Sequence, residues 1–325
     1  MQTYDKLWKG AIEDLIVDFL RFFYENADDT FDFSKKPEFL DKELEELFPD
    51  QKGTTRHVDK LVKVWLKDGS VKWILIHCEV QGYNDKNFEL RMFIYFYRIF
   101  DKYNVDITSL AILSDDNPLF KPHKFEKKFL GTELIFKFNA YKILEQDPSV
   151  LAASNNPFAI IILTVYYALI EKIKKAKQNK TKKNEKNDAD ESNLIDIKLD
   201  LVRRLKDKEF DDTTIRVIFY FIKNYIRFAN SENNRIFENK LEKIYPQKNR
   251  KMGVVDILIE DAKVEGRVEG RVEGKIEGRV EESERKDKEV IKNARLEGFS
   301  IESISKIVKL PIEKVEAILR SMGLN

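Results

Sequence analysis

The chain has 325 residues, 42% hydrophobic and 35% charged, with a formal net charge of +1. That apolar content makes most of it foldable, as one sizeable core with appendages or as two to three domains, and the balanced charge carries no overall signature of a nucleic-acid partner. A single cysteine, Cys78, excludes an intramolecular disulfide framework and a zinc centre built on several thiolates, and fits a reducing cytoplasm.

Charge is distributed unevenly. Residues 1–50 carry 6 basic and 14 acidic side chains, whereas Lys172 to Lys186 holds eight lysines against Glu185. No signal-peptide core opens the chain, because the first apolar stretch, Ala11 to Tyr24, contains Glu13, Asp14, Asp18 and Arg21. The strongest apolar run, Pro157 to Ile170, is 14 residues. It falls short of the roughly 20 needed to span a bilayer and reads as a buried core helix, so no membrane role is expected.

In chain order, Tyr4 to Tyr24 predicts an amphipathic helix, with Leu7, Ala11, Leu15, Phe19 and Phe22 at helical spacing and facing a sheet. Phe39 to Phe48 is a strand or a short helix. Val58 to Leu66 predicts a strand, Lys67-Asp68-Gly69-Ser70 a turn, and Val71 to Val80 the returning strand. Asn87 to Tyr103 follows as a second helix, with an apolar stripe at Leu90, Phe93, Tyr97 and Phe100 and with Asn87, Arg91, Arg98 and Lys102 on a side that suits phosphate. Asp106 to Leu113 and Glu133 to Phe138 predict further strands. This order gives an α/β fold with a small mixed central sheet flanked by helices and an α-helical C-terminal extension.

From Lys172 to Asn193 the composition turns to Lys, Asn, Asp and Glu, the signature of a flexible insert whose lysines also suit non-specific phosphate contact. Residues 194–245 return to a helical pattern through Ile215, Ile218, Phe219, Ile222, Tyr225 and Ile226. Val264 to Arg279 then repeats a tetrapeptide of Val or Ile, Glu, Gly and Arg or Lys. Four residues overshoot a helical turn by about 40°, and each glycine weakens a helix by about 1 kcal/mol. The repeat is therefore a spacer, or alternatively an oligomerisation helix that joins copies of the chain. The tail holds three helical patterns, Glu289 to Leu296, Ile301 to Val308 and Ile312 to Met322, arranged like a helix-turn-helix unit. Its apolar set is Ile301, Ile304, Ile307, Leu310, Val315 and Ile318; Lys314 and Arg320 are its candidate DNA contacts.

The chemistry gathers at the hairpin. Folding about Asp68-Gly69 brings Asp59 opposite Cys78 or Glu79, according to loop length, and side-chain alternation puts Glu79 and Gln81 on one face. The strand before Glu79 is apolar on both faces, as in a covered sheet, where a carboxylate is costly without a cation or donors. Mg²⁺ answers that requirement: it takes hard oxygen ligands, keeps several waters, and both activates water and neutralises phosphate charge. Asp59 and Glu79 are the candidate carboxylate ligands and the Val80 carbonyl a third; Gln81 would orient the water or hold the scissile phosphate. His77 shares the face of Glu79, and the simpler reading makes it a structural histidine.

Asp59 followed by Glu79-Val80-Gln81 after a hydrophobic strand resembles the PD-(D/E)XK nuclease motif in its glutamine variant. The segments Tyr4-Asp5-Lys6-Leu7-Trp8-Lys9, Phe39-Leu40-Asp41-Lys42-Glu43-Leu44, Asp59-Lys60-Leu61-Val62-Lys63-Val64, Ile76-His77-Cys78-Glu79-Val80-Gln81-Gly82 and Arg91-Met92-Phe93-Ile94-Tyr95 are similar to the Rpn family of recombination-promoting nucleases, often labelled transposases. The likeness runs over roughly residues 4–170. It implies a restriction-endonuclease-like core, Mg²⁺ and no small-molecule cofactor, and a DNA endonuclease whose phosphodiester hydrolysis promotes recombination. It maps Asp59 and Glu79 to the metal carboxylates, Gln81 to the third motif position and Glu13 to an auxiliary acid, with Asp14 competing for that role. The departure is Gln81 where the superfamily has lysine, since a neutral amide neither stabilises anionic charge as a cation does nor acts as a base. The division expected is a nuclease-like core over 1–170, a Lys/Asn-rich flexible insert over 171–193, a helical extension over 194–260, the repeat spacer over 261–285 and the helix-turn-helix-like tail over 286–325. The competing reading is a catalytically weak or inactive DNA-binding or oligomerising module on the same fold.

Overall fold

The computed structural model describes residues 4–48, 57–79, 87–181, 191–228, 230–244, 288–308 and 310–322. The chain divides into two compact units, Met1–Ile259 and Glu260–Asn325. The first is α/β and is built on a mixed five-stranded sheet.

Helices α1 (Tyr4–Asp14), α2 (Ile16–Phe23) and α3 (Ala27–Thr30) open the chain. The single helix expected over Tyr4 to Tyr24 breaks at Leu15, whose backbone leaves the helical region at φ −114° and ψ 31°. Both sides of the break bury apolar residues, among them Trp8, Ile12, Phe19 and Leu20. Strand β1 (Glu38–Phe39) and helix α4 (Asp41–Leu47) then share the segment read as one or the other.

Strands β2 (His57–Trp65) and β3 (Val71–Glu79) form the central hairpin. Leu66 N–H donates to the Ser70 carbonyl at 2.9 Å, Gly69 N–H donates to the Leu66 carbonyl at 3.0 Å, and Gly69 sits at φ +84°. The loop is thus the three residues Lys67, Asp68 and Gly69, a tight turn followed by a left-handed residue. Its length sets the register, which pairs Asp59 with His77 rather than with Cys78 or Glu79.

Helix α5 (Phe88–Tyr103) crosses back to β4 (Ile107–Leu113), which pairs parallel to β3. Next comes a separate hairpin of β5 (Lys124–Phe129) and β6 (Thr132–Lys137), and then β7 (Asn139–Lys142), parallel to β4. The main sheet runs β1-β2-β3-β4-β7. One of its faces packs Leu61, Trp73 and Leu75 against Tyr95 and Ile99 of α5 and Leu44 and Phe48 around α4.

The phase of α5 differs from the sequence reading. Phe88, Met92, Tyr95 and Ile99 are its buried residues, while Leu90, Tyr97 and Phe100 are exposed. Phe93 stacks on Phe125 at 5.1 Å between centroids and Phe96 meets Phe136 at 4.8 Å, so the helix is covered by the sheet on one side and by the β5–β6 hairpin on another. With apolar residues on two sides, periodicity alone does not choose the inward one.

A short 3₁₀ turn (Ile143–Glu145) and α6 (Pro148–Ala153) lead to α7 (Pro157–Thr181). Phe158 to Val165 are fully buried, as expected of a core helix, and no helix among the described residues is long and apolar enough to cross a membrane. The helix continues to Thr181, and α8 (Glu191–Asp207) starts at Glu191, so both ends of the expected flexible insert are helical and residues 182–190 lie outside the described residues. Lysine is a good helix former, and Lys172 and Lys174 are held by Asp116 at 3.0 Å and Glu171 at 2.6 Å. Helices α9 (Asp212–Tyr225) and α10 (Ser231–Ile244) are the last described elements of the first unit. The apolar face read in the sequence is its core: Ile215, Ile218, Phe219, Ile222, Tyr225 and Ile226 are all buried.

In the second unit, α11 (residues 288–296), α12 (Ile301–Val308) and α13 (Ile312–Ser321) match the three expected patterns. Phe299 N–H donates to the Ala294 carbonyl and Gly298 N–H to that of Arg295, both at 3.1 Å, and Gly298 has φ +89°, which closes α11 with a left-handed glycine cap. Ile291, Ile304, Val315 and Leu319 form the core; Ile307, assigned inward from the sequence, is exposed. The repeat at Val264 to Arg279 lies outside the described residues.

A side chain at Gly69 would meet nothing within 4 Å, so its only penalty is the left-handed backbone. Gly69→Val should lower unfolding free energy by about 1–2 kcal/mol in urea titrations, and an unchanged midpoint would contradict the loop conformation.

Candidate active site

Because Asp59 pairs with His77, their side chains leave the sheet on one face, the one covered by α5. His77 is fully buried, and its Nδ1 is in contact with Asp59 Oδ1. Tyr95, one turn along α5 from Arg91, donates its hydroxyl to Asp59 Oδ2 at 3.0 Å. Arg91 Nη2 lies 3.3 Å from His77 Nε2.

These contacts fix the proton on the imidazole. A guanidinium only donates, so Nε2 facing Arg91 accepts, and the ring hydrogen sits on Nδ1 and is donated to Asp59. The result is a directed chain from Arg91 through His77 to Asp59, with Tyr95 donating to the other carboxylate oxygen. A carboxylate with a side chain only 14% exposed needs such donors, because desolvation without them costs several kcal/mol. His77 is therefore the structural histidine of the sequence reading, and its partner is the candidate metal ligand itself. Tyr95 was missed as a site residue; its signal was its place four residues after Arg91, which puts both on one side of the helix.

Glu79 is the last residue of β3, opposite His57 and two positions beyond His77, so positions 77 and 79 belong to one face of the strand. Val80 and Gln81 follow immediately and lie outside the described residues. Among the described residues, no group of three or more His, Cys, Asp and Glu is gathered for a metal.

Glu13 is placed elsewhere. It pairs with Lys60, whose buried side chain also binds Asp41 at 2.6 Å and lies 5.3 Å from the Phe39 ring. Lys60 and Asp59 are consecutive in β2 and leave it on opposite faces, so the structure joins Glu13 to the neighbour of Asp59 and does not bring it to Asp59. The carboxyl of Asp14 is raised above the usual aspartate range, first by burial and then by the charge of Glu13, with Lys36 opposing.

The cations expected to form a phosphate-binding side of α5 are also committed within the fold. Arg98 donates to the Leu47 carbonyl at 3.0 Å and lies over the Phe48 ring, while Lys102 pairs with Glu46 at 2.9 Å. Arg91 alone of the three reaches the Asp59 network. At the same end of the sheet, register aligns Glu79 with Leu113 and Leu113 with Lys142. Lys142 is buried there against Asp115 at 2.5 Å and donates to the Asn117 carbonyl at 2.9 Å.

No protein-family model, curated protein or solved structure matches the chain.

Tyr95→Phe should destabilise the protein by about 1.5–3 kcal/mol, the range for a hydrogen bond to a charged group. In a denaturation cycle with Asp59→Asn, the two losses should be strongly non-additive; simple additivity would exclude the contact. Asp14 titrates higher in the folded than in the unfolded chain, so its ionisation destabilises the fold as pH rises past the usual aspartate range. Asp14→Asn should therefore raise the melting temperature near neutral pH and lose that advantage in acid, at about pH 3, where both states bind the proton.

Proposed function

We propose that the chain is a metal-dependent DNA endonuclease with a restriction-endonuclease-like core, hydrolysing phosphodiester bonds at the end of β3. The observation that carries this reading is the Asp59 carboxylate, held by His77 and Tyr95 on the strand face that includes position 79. The resemblance of Asp59 and Glu79-Val80-Gln81 to the PD-(D/E)XK motif, and of the surrounding segments to recombination-promoting nucleases, supports the same assignment.

The donor set fits Mg²⁺. A carboxylate oxygen has two lone pairs, so Asp59 accepts from His77 and Tyr95 and retains acceptor capacity. Ligand carboxylates are commonly held by donors of this kind, which fix their orientation. Asp59, Glu79 and the Val80 carbonyl would hold the ion, and Gln81 would orient the attacking water or the scissile phosphate. Once bound, Mg²⁺ supplies an activated water and charge neutralisation at the phosphate. Arg91 keeps His77 in the tautomer that Asp59 requires and adds positive charge beside a site whose third motif residue is neutral.

A second reading, favoured by Gln81 and the three-helix tail, is a DNA-binding or oligomerising module with weak or absent catalysis. Plasmid nicking by the full chain in Mg²⁺ separates the two. Wild type should cut, with Asp59→Ala and Glu79→Ala reduced at least a hundredfold. Salt-dependent binding without cutting would select the module, and equal cutting by all three proteins would overturn the site.

A further inference from the structure

The β5–β6 hairpin ends in two apolar residues directed at water. Phe129 is 72% exposed and Leu130 is 90% exposed. Phe129 pairs with Thr132, which leaves Leu130 and Gly131 as the two-residue turn, with φ +42° and +85°. A turn with both residues at positive φ favours Asn-Gly or Gly-Gly, and leucine is among the poorer choices there. The tip therefore exposes a large apolar side chain and holds it in a disfavoured backbone conformation.

Its flanks are cationic. Between Lys121 and Lys137 the chain has five lysines against Glu126 and Glu133. Glu126 and Glu133 pair with Lys124 at 2.9 Å and Lys128 at 2.7 Å. Lys127 and Lys137 are exposed and have no ion pair among the described residues. The base of the hairpin is fixed on α5, the helix that carries Arg91 and Tyr95, through Phe125 on Phe93 and Phe136 on Phe96. Four residues at about 3.3 Å each carry the tip roughly 13 Å past that anchor.

We infer that this hairpin is a wedge for duplex DNA, with Phe129 and Leu130 entering the base stack and Lys127 and Lys137 meeting phosphate. An apolar side chain flanked by cations is the combination that unstacks and kinks a duplex. The anionic backbone complements the lysine excess, and unstacked bases complement the apolar tip. The inference rests on the DNA reading above and adds to it a second contact that deforms the substrate held at Asp59.

The test uses the full chain without divalent metal and a duplex containing 2-aminopurine, whose fluorescence rises when its base is unstacked. Wild type should raise the signal at least twofold on binding. Phe129→Thr with Leu130→Asn, which installs the favoured Asn-Gly turn, should melt no lower than wild type, abolish the rise and weaken binding roughly tenfold. Lys127→Gln with Lys137→Gln should weaken binding and flatten its salt dependence. Wild type that binds the duplex, or cuts it once Mg²⁺ is added, with no fluorescence change in the metal-free assay, or an unaltered rise in the Thr/Asn variant, overturns the wedge and leaves the nuclease reading standing. Wild type that binds no duplex and cuts none after Mg²⁺ is added overturns both readings. Tip-dependent binding to anionic phospholipid vesicles without the DNA signal assigns the hairpin to a membrane surface and overturns the wedge.

Discussion

The pairing of Asp59 with His77 depends on the length of one loop. With Lys67, Asp68 and Gly69 between the paired residues Leu66 and Ser70, the two strands meet so that 59 faces 77. A loop one residue different would pair Asp59 with Cys78, on the face where Ile74 and Ile76 are buried. The carboxylate would then lose both donors and enter an apolar layer. Gly69 permits the left-handed turn, the turn sets the register, and the register gives Asp59 an imidazole on one oxygen and a phenol on the other.

Helix α5 converts that local pairing into a supported site. Its inward side places Tyr95 and Arg91 on the network and Phe88, Met92 and Ile99 in the core. Each fully buried side chain of this size contributes about 1.5–3 kcal/mol, so the helix is anchored independently of its polar contacts. That anchoring fixes the position of the Tyr95 hydroxyl, which a loop residue would supply less accurately. The second covered side of α5, through Phe93 and Phe96, holds the β5–β6 hairpin. Displacing α5 would disturb both the support of Asp59 and the base of the hairpin.

What was legible in the sequence follows from how strongly each segment repeats. The β2–β3 hairpin, β4, the buried α7, the inward face of α9 and the three tail helices carry clear alternation or helical spacing, and they stand where the sequence puts them. The short strands β1 and β7 span two and four residues, too few for a period to register. Strand β5 reads Lys-Phe-Glu-Lys-Lys-Phe, whose charge masks the alternation that puts Phe125 inward. The inward side of α5 was illegible for the opposite reason, an excess of apolar residues. At the candidate site, the sequence singled out Asp59 and Glu79 as its acids, but the His77 contact required the register and the Tyr95 contact required the helix phase.

The neutrality of Gln81 bears on how charge is arranged around Asp59. In a site with a motif lysine, that cation lies on the same strand as the second acid. Here the described cations approach from other elements: Arg91 from α5, one hydrogen bond beyond His77, and Lys142 from the end of β7, held by Asp115. Lys142 is buried and compensated by a carboxylate, so its field beyond the pair is that of a dipole and falls off steeply. Arg91 differs in that the contact described for it is to a ring nitrogen of His77 at 3.3 Å rather than to a carboxylate. A phosphodiester brought to Asp59 would meet the guanidinium from the α5 side, through the same His77 contact that orients the carboxylate.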